Sequence, residues 1–157
     1  MMSWYFLIKW VHILSSTVLF GTGAGIAFFF LRAHRKGDAE FIAAVSRDVV
    51  LADFVFTATA VILQPITGIA LAVMAGFPLS TGWLVLSVAL YGLIGCCWLP
   101  VVWLQIRMRD MAIRSAAAGV PLPDRYHRYY AWWFGLGWPA FLGVMAVFYL
   151  MVAKPSF

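Results

Sequence analysis

Four long apolar segments, separated by short polar connections, dominate the pattern of hydrophobic and polar positions along the chain. They cover approximately residues 4–31, 49–75, 82–106 and 129–153. Each exceeds the roughly 20 residues that an α-helix needs to cross about 30 Å of hydrocarbon. Because consecutive spans joined by short connections pack as antiparallel neighbours, we expect an all-α, membrane-spanning four-helix up-down bundle, with residues 1–157 forming a single domain.

Composition supports this class of protein. The chain is 64% hydrophobic and 11% charged, whereas soluble domains carry about 25% charged residues. The first apolar segment far exceeds the roughly 7–15 residues of a signal-peptide core, and no small-residue cleavage site follows a basic start, so we expect it to remain as a helix. The expected surrounding partner is therefore the lipid bilayer.

Basic residues predict the orientation of the bundle. Nine of the eleven Lys and Arg residues lie in residues 32–48 and 107–128, and only Lys9 and Lys154 lie on the other side. The positive-inside rule then places both connections in the cytoplasm and both termini outside a bacterial inner (plasma) membrane. Since topology explains the net charge of +5, we expect no nucleic-acid partner.

The first connection, residues 32–48, is expected to contain a short helix. Phe41, Ile42 and Val45 repeat at helical spacing after Asp38, and aspartate is a preferred residue at helix N-termini. Asp53 follows near the cytoplasmic end of the second span. We expect its carboxylate to pair with an arginine of one of the connections.

The first span carries one histidine, His12. It lies about eight residues, or roughly 12 Å, from the outer end of the span at 1.5 Å per residue. An ionisable side chain inside a membrane helix is costly and marks a functional site by default. A neutral imidazole there could ligate haem iron or another metal, relay a proton, hydrogen-bond a neighbouring helix or line a water-filled cavity. The residues alone leave these alternatives open.

Other polar and aromatic side chains are predicted at a depth near that of His12. Asp53, Thr57, Gln64, Thr67 and Gly68 form a polar stripe along one face of the second span, and Gln64 lies at a depth comparable with His12. Ser87 lies in the first turns of the third span, and Trp138 belongs to the Trp-rich fourth. A polar stripe in lipid must face protein or a ligand. One interpretation is a pocket shared with His12, with Trp138 as a ring neighbour, and the other is ordinary interhelical hydrogen bonding and packing.

His34 and His127 lie beside basic residues in the two cytoplasmic connections. Their depth prevents either from sharing one haem with His12, so a bis-histidine haem on His12 is not expected. The two side chains could meet each other near the cytoplasmic face.

Several short motifs resemble a known superfamily. Residues 9–13, KWVHI, and residues 59–68, TAVILQPITG, are similar to the first two helices of small membrane proteins that include HemJ, a four-helix protoporphyrinogen oxidase, and CopD, a copper-resistance protein. The third span, LYGLIGCCWLPVVWLQIRM, more closely resembles an integral membrane family known as domain of unknown function 2269. The resemblance implies a four-helix bundle and a first-helix histidine, His12, that binds b-type haem.

The same resemblance also shows two departures from the HemJ site. Ser87 stands where HemJ has a lysine in the third helix, and residues 136–139, LGWP, lack the glutamate of its fourth-helix Asn-Glu-Pro element. Losing both ionisable groups argues against protoporphyrinogen oxidation, and whether the protein is an enzyme stays open.

Three functional hypotheses follow. In the first, the protein has a redox role and binds haem b or a porphyrin, with His12 as the metal ligand and Gln64, Thr67, Ser87 and Trp138 around it. In the second, it is a non-catalytic membrane subunit or scaffold whose small-residue helix faces pack on a second copy or on a partner subunit. The third is a metal-handling transporter, which ranks last because copper sites cluster Met, His and Cys and here these residues are dispersed.

Overall fold

The computed structural model describes residues 2–156, and its regular structure within that range is helical. The elements are α1 (Met2–Lys36), α2 (Ala39–Ala52), a π-helical turn (Asp53–Thr57), α3 (Ala58–Met74), α4 (Gly82–Ala118) and α5 (Asp124–Ala153). Since α2, the π-helical turn and α3 run on without a break, the chain forms four long rods. Each rod is long and apolar enough to cross a membrane, which confirms the predicted all-α four-helix class.

The helices extend beyond the predicted apolar segments. α1 continues to Lys36 and α4 to Ala118, so α1 adds more than one turn and α4 about three turns after the apolar part. At 1.5 Å per residue, the 37 residues of α4 make a rod about 55 Å long, well over the roughly 30 Å of hydrocarbon in a bilayer. The end of the bundle that carries residues 32–48 and 107–128 is called here the basic end, and the other the terminal end.

The short helix predicted in the first connection is present as α2. The side chain of Asp38 accepts a hydrogen bond from the backbone N–H of Glu40 at 3.0 Å and thereby caps the helix. The chain reverses just before it at Gly37, whose φ of 72° suits glycine. Unlike the prediction, α2 does not stop before the second span but continues into it, so the polar connection between α1 and α2 is very short.

Two hydrophobic clusters hold the rods together, one at each end. At the basic end, α2 packs against α1 and α4, and Phe30, Ile42, Met108 and Tyr126 are fully buried. At the terminal end, a smaller cluster joins Ala72, Trp83, Leu84 and Leu150. Between these clusters, α1 pairs with α3 and α4 pairs with α5, and the two pairs make few direct contacts with each other. This arrangement leaves an internal space between the pairs.

Candidate functional site

A cavity of about 470 Å³ occupies the space between the α1/α3 pair and the α4/α5 pair. Its walls are mostly apolar, and eight aromatic side chains line it: Phe20, Tyr91, Trp98, Trp133, Phe134, Trp138, Phe141 and Phe148. Pockets that bind small molecules measure about 300–1,000 Å³ and are mostly apolar, with a few polar groups. The cavity therefore has the size and lining of a small-molecule site.

Polar side chains gather on the wall of this cavity. Asp53 and Thr57 come from the π-helical turn, and Trp98 and Gln105 come from α4. Thr57, Trp98 and Gln105 all approach the carboxyl group of Asp53. These four residues are called here the polar cluster.

The polar cluster is buried and its hydrogen bonding is incomplete. Asp53 is 4% exposed and Gln105 is 1% exposed. By strict hydrogen-bond geometry, Asp53 Oδ2, Thr57 Oγ1, Trp98 Nε1 and Gln105 Oε1 have no partner among the described residues, although Thr57, Trp98 and Gln105 lie close enough to Asp53 to bond to it after small movements. Trp133, from α5, adds a further unpartnered indole N–H to the cavity lining. Buried polar atoms in native proteins nearly always have a protein or water partner, so this group is suited to hold water or a polar part of a ligand.

The π-helical turn sets the position of Asp53 and Thr57. The backbone N–H of Ala58 bonds to the carbonyl of Asp53, five residues earlier, instead of four as in an α-helix. The extra residue rotates the side chains of this turn relative to α2 and α3. Single π-helical turns of this kind occur frequently at functional sites.

The prediction that Asp53 pairs with an arginine is wrong. The ion pairs found between residues 2 and 156 are Lys36–Asp38 and Arg109–Asp110, and neither involves Asp53. Its side chain turns into the cavity because that face of the second rod points between the helix pairs. Among the described residues that line the cavity there is no Lys, Arg or His.

His12 is held against α3 by Thr67. The Nδ1 atom of His12 lies 2.7 Å from Thr67 Oγ1, and Thr67 donates its only hydroxyl proton to the carbonyl of Leu63 at 2.6 Å. Thr67 must therefore accept from His12 Nδ1–H, which leaves the lone pair on Nε2. Within residues 2–156, no protein group hydrogen-bonds Nε2. This is the tautomer in which an imidazole can ligate a metal through Nε2.

Gln64 and Gly68 complete the contact between the His12 segment and α3. The Nε2 amide of Gln64 donates to the carbonyl of His12 at 2.9 Å and also to the hydroxyl of Ser15. A Cβ atom on Gly68 would lie 3.2 Å from Cε1 of His12, so glycine there lets the imidazole lie close to the α3 backbone. The network ties α1 to α3 near the terminal end.

The five residues predicted as one site fall into three places. His12 and Thr67 contact each other beside the cavity, whereas Gln64 and Trp138 line it. Ser87 is 3% exposed and donates to the carbonyl of Trp83 at 2.7 Å, next to the terminal-end cluster. Gln64 alone joins two of these places, because it both lines the cavity and bonds to the His12 segment. A role for these residues in binding stays a prediction.

His34 and His127 do meet at the basic end. Their ring centroids are 5.8 Å apart, and the His34 ring stacks on Tyr130 with centroids 3.5 Å apart. No group of three His, Cys, Asp or Glu side chains that could hold a metal ion occurs in the described part of the chain. The aromatic contacts of His34 with Tyr130 and His127 join α1 to α5.

The sequence interpretation missed the polar cluster as a unit. Its signal was present, because Asp53 and Gln105 are polar residues inside apolar spans, and such residues mark functional sites in membranes. The sequence instead points to His12, the histidine inside the first span, and predicts that Asp53 pairs with an arginine of a basic connection. Knowing which rods face each other was needed to bring residues 53 and 105 together.

Comparison with known proteins gives a family and nothing narrower. The family model described as predicted integral membrane protein (DUF2269) matches residues 6–155, which include every residue that lines the cavity. Neither the curated proteins nor the solved structures contain a significant match.

Proposed function

This chain belongs to the DUF2269 family of integral membrane proteins, and we propose that within the membrane it binds a lipophilic small molecule in the cavity between its two helix pairs. One observation carries the proposal. The apolar, aromatic cavity of about 470 Å³ has a buried polar cluster with unpartnered atoms on its wall.

The lining describes the kind of molecule that would fit. Phe134 and Trp138 line the cavity edge to face, with ring centroids 6.1 Å apart, and such rings pack well against a flat or branched hydrocarbon body. The polar cluster offers donors and acceptors to a single polar group of the ligand. Trp138 is 54% exposed although it lines the cavity, so the cavity opens beside it toward the surroundings of the helices.

Filling the cavity tests the proposal directly. Gly95 lines the cavity, whereas Gly92, one turn earlier on α4, does not, and a Cβ on either would meet no atom within 4 Å. We expect the neutral fluorescent probe N-phenyl-1-naphthylamine to bind the purified protein in detergent, Gly95→Phe to abolish this binding, and Gly92→Phe to preserve it. Equal binding by both variants would contradict the proposal.

Haem b bound through His12 is a second candidate, and the tautomer of His12 favours it. With Nδ1–H held by Thr67, Nε2 carries the lone pair that an axial ligand of iron needs. Bound haem would supply one-electron redox chemistry, while Thr67, Gly68 and Gln64 would fix the orientation of the imidazole. His12 does not line the cavity, so this candidate uses a different site from the first.

A spectrum separates the two candidates. Protein purified in mild detergent from haem-replete cells should give a b-type signal in a reduced-minus-oxidised spectrum, and His12→Ala should remove it. The matched control, His127→Ala, should retain the signal because His127 is exposed at the basic end. A colourless wild-type preparation would refute haem binding without affecting the cavity proposal.

The distribution of Lys and Arg between the two ends of the bundle supports a proposed orientation in the membrane. The basic end should face the cytoplasm of a bacterium, because nine of the eleven Lys and Arg residues lie there. A C-terminal alkaline phosphatase fusion should then be active and a C-terminal green fluorescent protein fusion dark. The reverse result would invert the proposed topology.

Association through small residues is proposed for the outer face of α1. A Cβ on Gly21 or Gly25 would meet no atom of the described chain within 4 Å, so this face is not used for packing within the protein. A helix from a second copy or a partner subunit could approach it closely. Gly21→Leu should lower the oligomeric mass measured in detergent by light scattering. A wild-type protein that has the mass of a monomer in the same measurement would refute the proposal.

A further inference from the structure

The ionisable side chains that line the cavity can carry only one sign of charge, the negative one. Within the described lining, Asp53 is the only acidic residue and there is no basic residue. The carboxyl group has no ion-pair partner between residues 2 and 156. A buried carboxylate without a cation is strongly unfavourable in an apolar medium, so Asp53 is expected to be protonated in the free protein and to release its proton to the solution when a cation binds beside it.

The aromatic walls favour the same sign of charge. Eight aromatic side chains line the cavity, including Trp98, Trp133 and Trp138. The faces of aromatic rings carry negative electrostatic potential and attract cations, tryptophan most strongly, and the attraction is greatest where water is excluded. Trp98 combines both features because it lines the cavity and approaches the Asp53 carboxyl.

Size and hydration select among cations. A small inorganic ion is strongly hydrated, and the polar cluster offers few oxygen atoms to replace its water shell. An organic cation with a large apolar body is weakly hydrated and would also bury that body against the cavity wall. Anionic lipids and fatty acids are disfavoured because their head group would meet Asp53 with no basic residue to neutralise it.

We propose that the cavity binds a lipophilic organic cation, such as an aromatic amine or a quaternary ammonium or phosphonium compound, with its charge at Asp53 and its body among the aromatic rings. This inference rests on the proposed function, since it names the ligand class of the same cavity. The carboxylate would supply the counter-charge, and the rings would replace the hydration that the cation loses.

The first experiment compares two probes of one shape and opposite charge. Tetraphenylphosphonium and tetraphenylborate differ in the sign of their charge and little in size. Tetraphenylphosphonium should displace N-phenyl-1-naphthylamine from the wild-type protein in detergent, and tetraphenylborate should not. Because this comparison uses only the wild type, it does not depend on whether a variant folds.

The second experiment removes the charge of Asp53. Asp53→Asn should weaken tetraphenylphosphonium binding at least about 10-fold, the usual scale for losing one partner of a buried charge pair. The matched control is Asp48→Asn, an exposed acid on α2, which should leave binding unchanged. The loss for tetraphenylphosphonium should exceed any change in binding of the neutral probe, and residual binding of the neutral probe shows that the variant retains its cavity.

The outcomes distinguish this inference from the proposed function. If the neutral probe binds but tetraphenylphosphonium does not displace it, the cation inference is overturned and the cavity proposal stands. If tetraphenylborate competes equally, or Asp53→Asn binds the cation as tightly as the wild type, the assignment of the charge to Asp53 is overturned. If neither probe binds, both proposals fail.

Discussion

A close contact between α4 and α5 allows a quantitative prediction at Gly143. A Cβ atom added there would lie 2.7 Å from Cγ1 and 3.1 Å from Cδ1 of Ile94. Non-bonded carbon atoms pack best at about 3.5–4.0 Å, so Ile94 must move by roughly 1 Å. Ile94 is β-branched and therefore stiff at χ1. The Gly143→Ala substitution must displace the Ile94 side chain as a whole, or separate the two helices.

The expected cost follows from comparison with a second glycine of α5. Overpacking a well-packed contact costs about 1–3 kcal/mol, while any Gly-to-Ala change also gains up to about 1 kcal/mol of helix propensity. A Cβ on Gly135 would meet nothing within 4 Å, so Gly135→Ala receives the gain without the cost. Gly143→Ala should therefore be about 1–3 kcal/mol less stable than Gly135→Ala, or roughly 2–12 °C lower in Tm at about 2–4 °C per kcal/mol.

Thermal unfolding in detergent, followed by intrinsic tryptophan fluorescence, measures this difference. Gly143→Ala should lower Tm less in the Ile94→Ala background than in the wild type. The side-chain atoms that clash with the new Cβ are absent in Ile94→Ala, so the two sites are coupled. Ile94 also lines the cavity, so its displacement in Gly143→Ala should weaken binding of the neutral probe. Equal Tm values for the Gly143 and Gly135 variants would refute the close packing of α4 on α5.

Three further predictions concern single hydrogen-bonding groups. Thr67→Val should lower stability by about 1–3 kcal/mol because His12 Nδ1–H loses its acceptor, and Thr67→Ser should restore most of it in the same thermal assay. Asp38→Ala should cost about 1 kcal/mol by removing the cap on the N–H of Glu40, and an unchanged Tm would contradict the role of the cap. Tyr126→Phe should leave stability unchanged or raise it by about 1–3 kcal/mol, since the hydroxyl is fully buried and unpartnered; a clear loss would reveal a bound partner such as water.

Much of the fold was readable from the chain alone. Residues 4–31 and 82–106 are apolar for longer than a bilayer requires, and no other solvent suits such segments, so four spans followed from length and hydropathy. Asp38 marked the start of α2 because a short side-chain acceptor satisfies backbone donors at a helix N-terminus. The extension of α1 to Lys36 was not predicted, since helix continuation there depends on burial against α2.

The candidate site was only partly readable. Pairing of His12 with a polar group on the second span was among the alternatives, and Thr67 provides it at 2.7 Å. The approach of Asp53 to Trp98 and Gln105 was not, because helical spacing puts Asp53 on the same face as Gln64 but shows neither the exact direction of its side chain nor which helix lies opposite. The π-helical turn changes that direction locally, and hydrophobic periodicity in a lipid-facing helix is too weak to reveal such a turn.

The sequence by itself determined the class of the protein, its number of spans and the location of its basic end, because these depend on composition summed over many residues. Only the tertiary structure decided which polar residues share a site. In the tertiary structure, α1 and α3 lie apart from α4 and α5, with a cavity of about 470 Å³ between the two pairs. The side chain of Asp53 points toward Gln105 and Trp98. The physical reason is that the clusters at the two ends hold the rods in place, and the position of a single side chain depends on that packing.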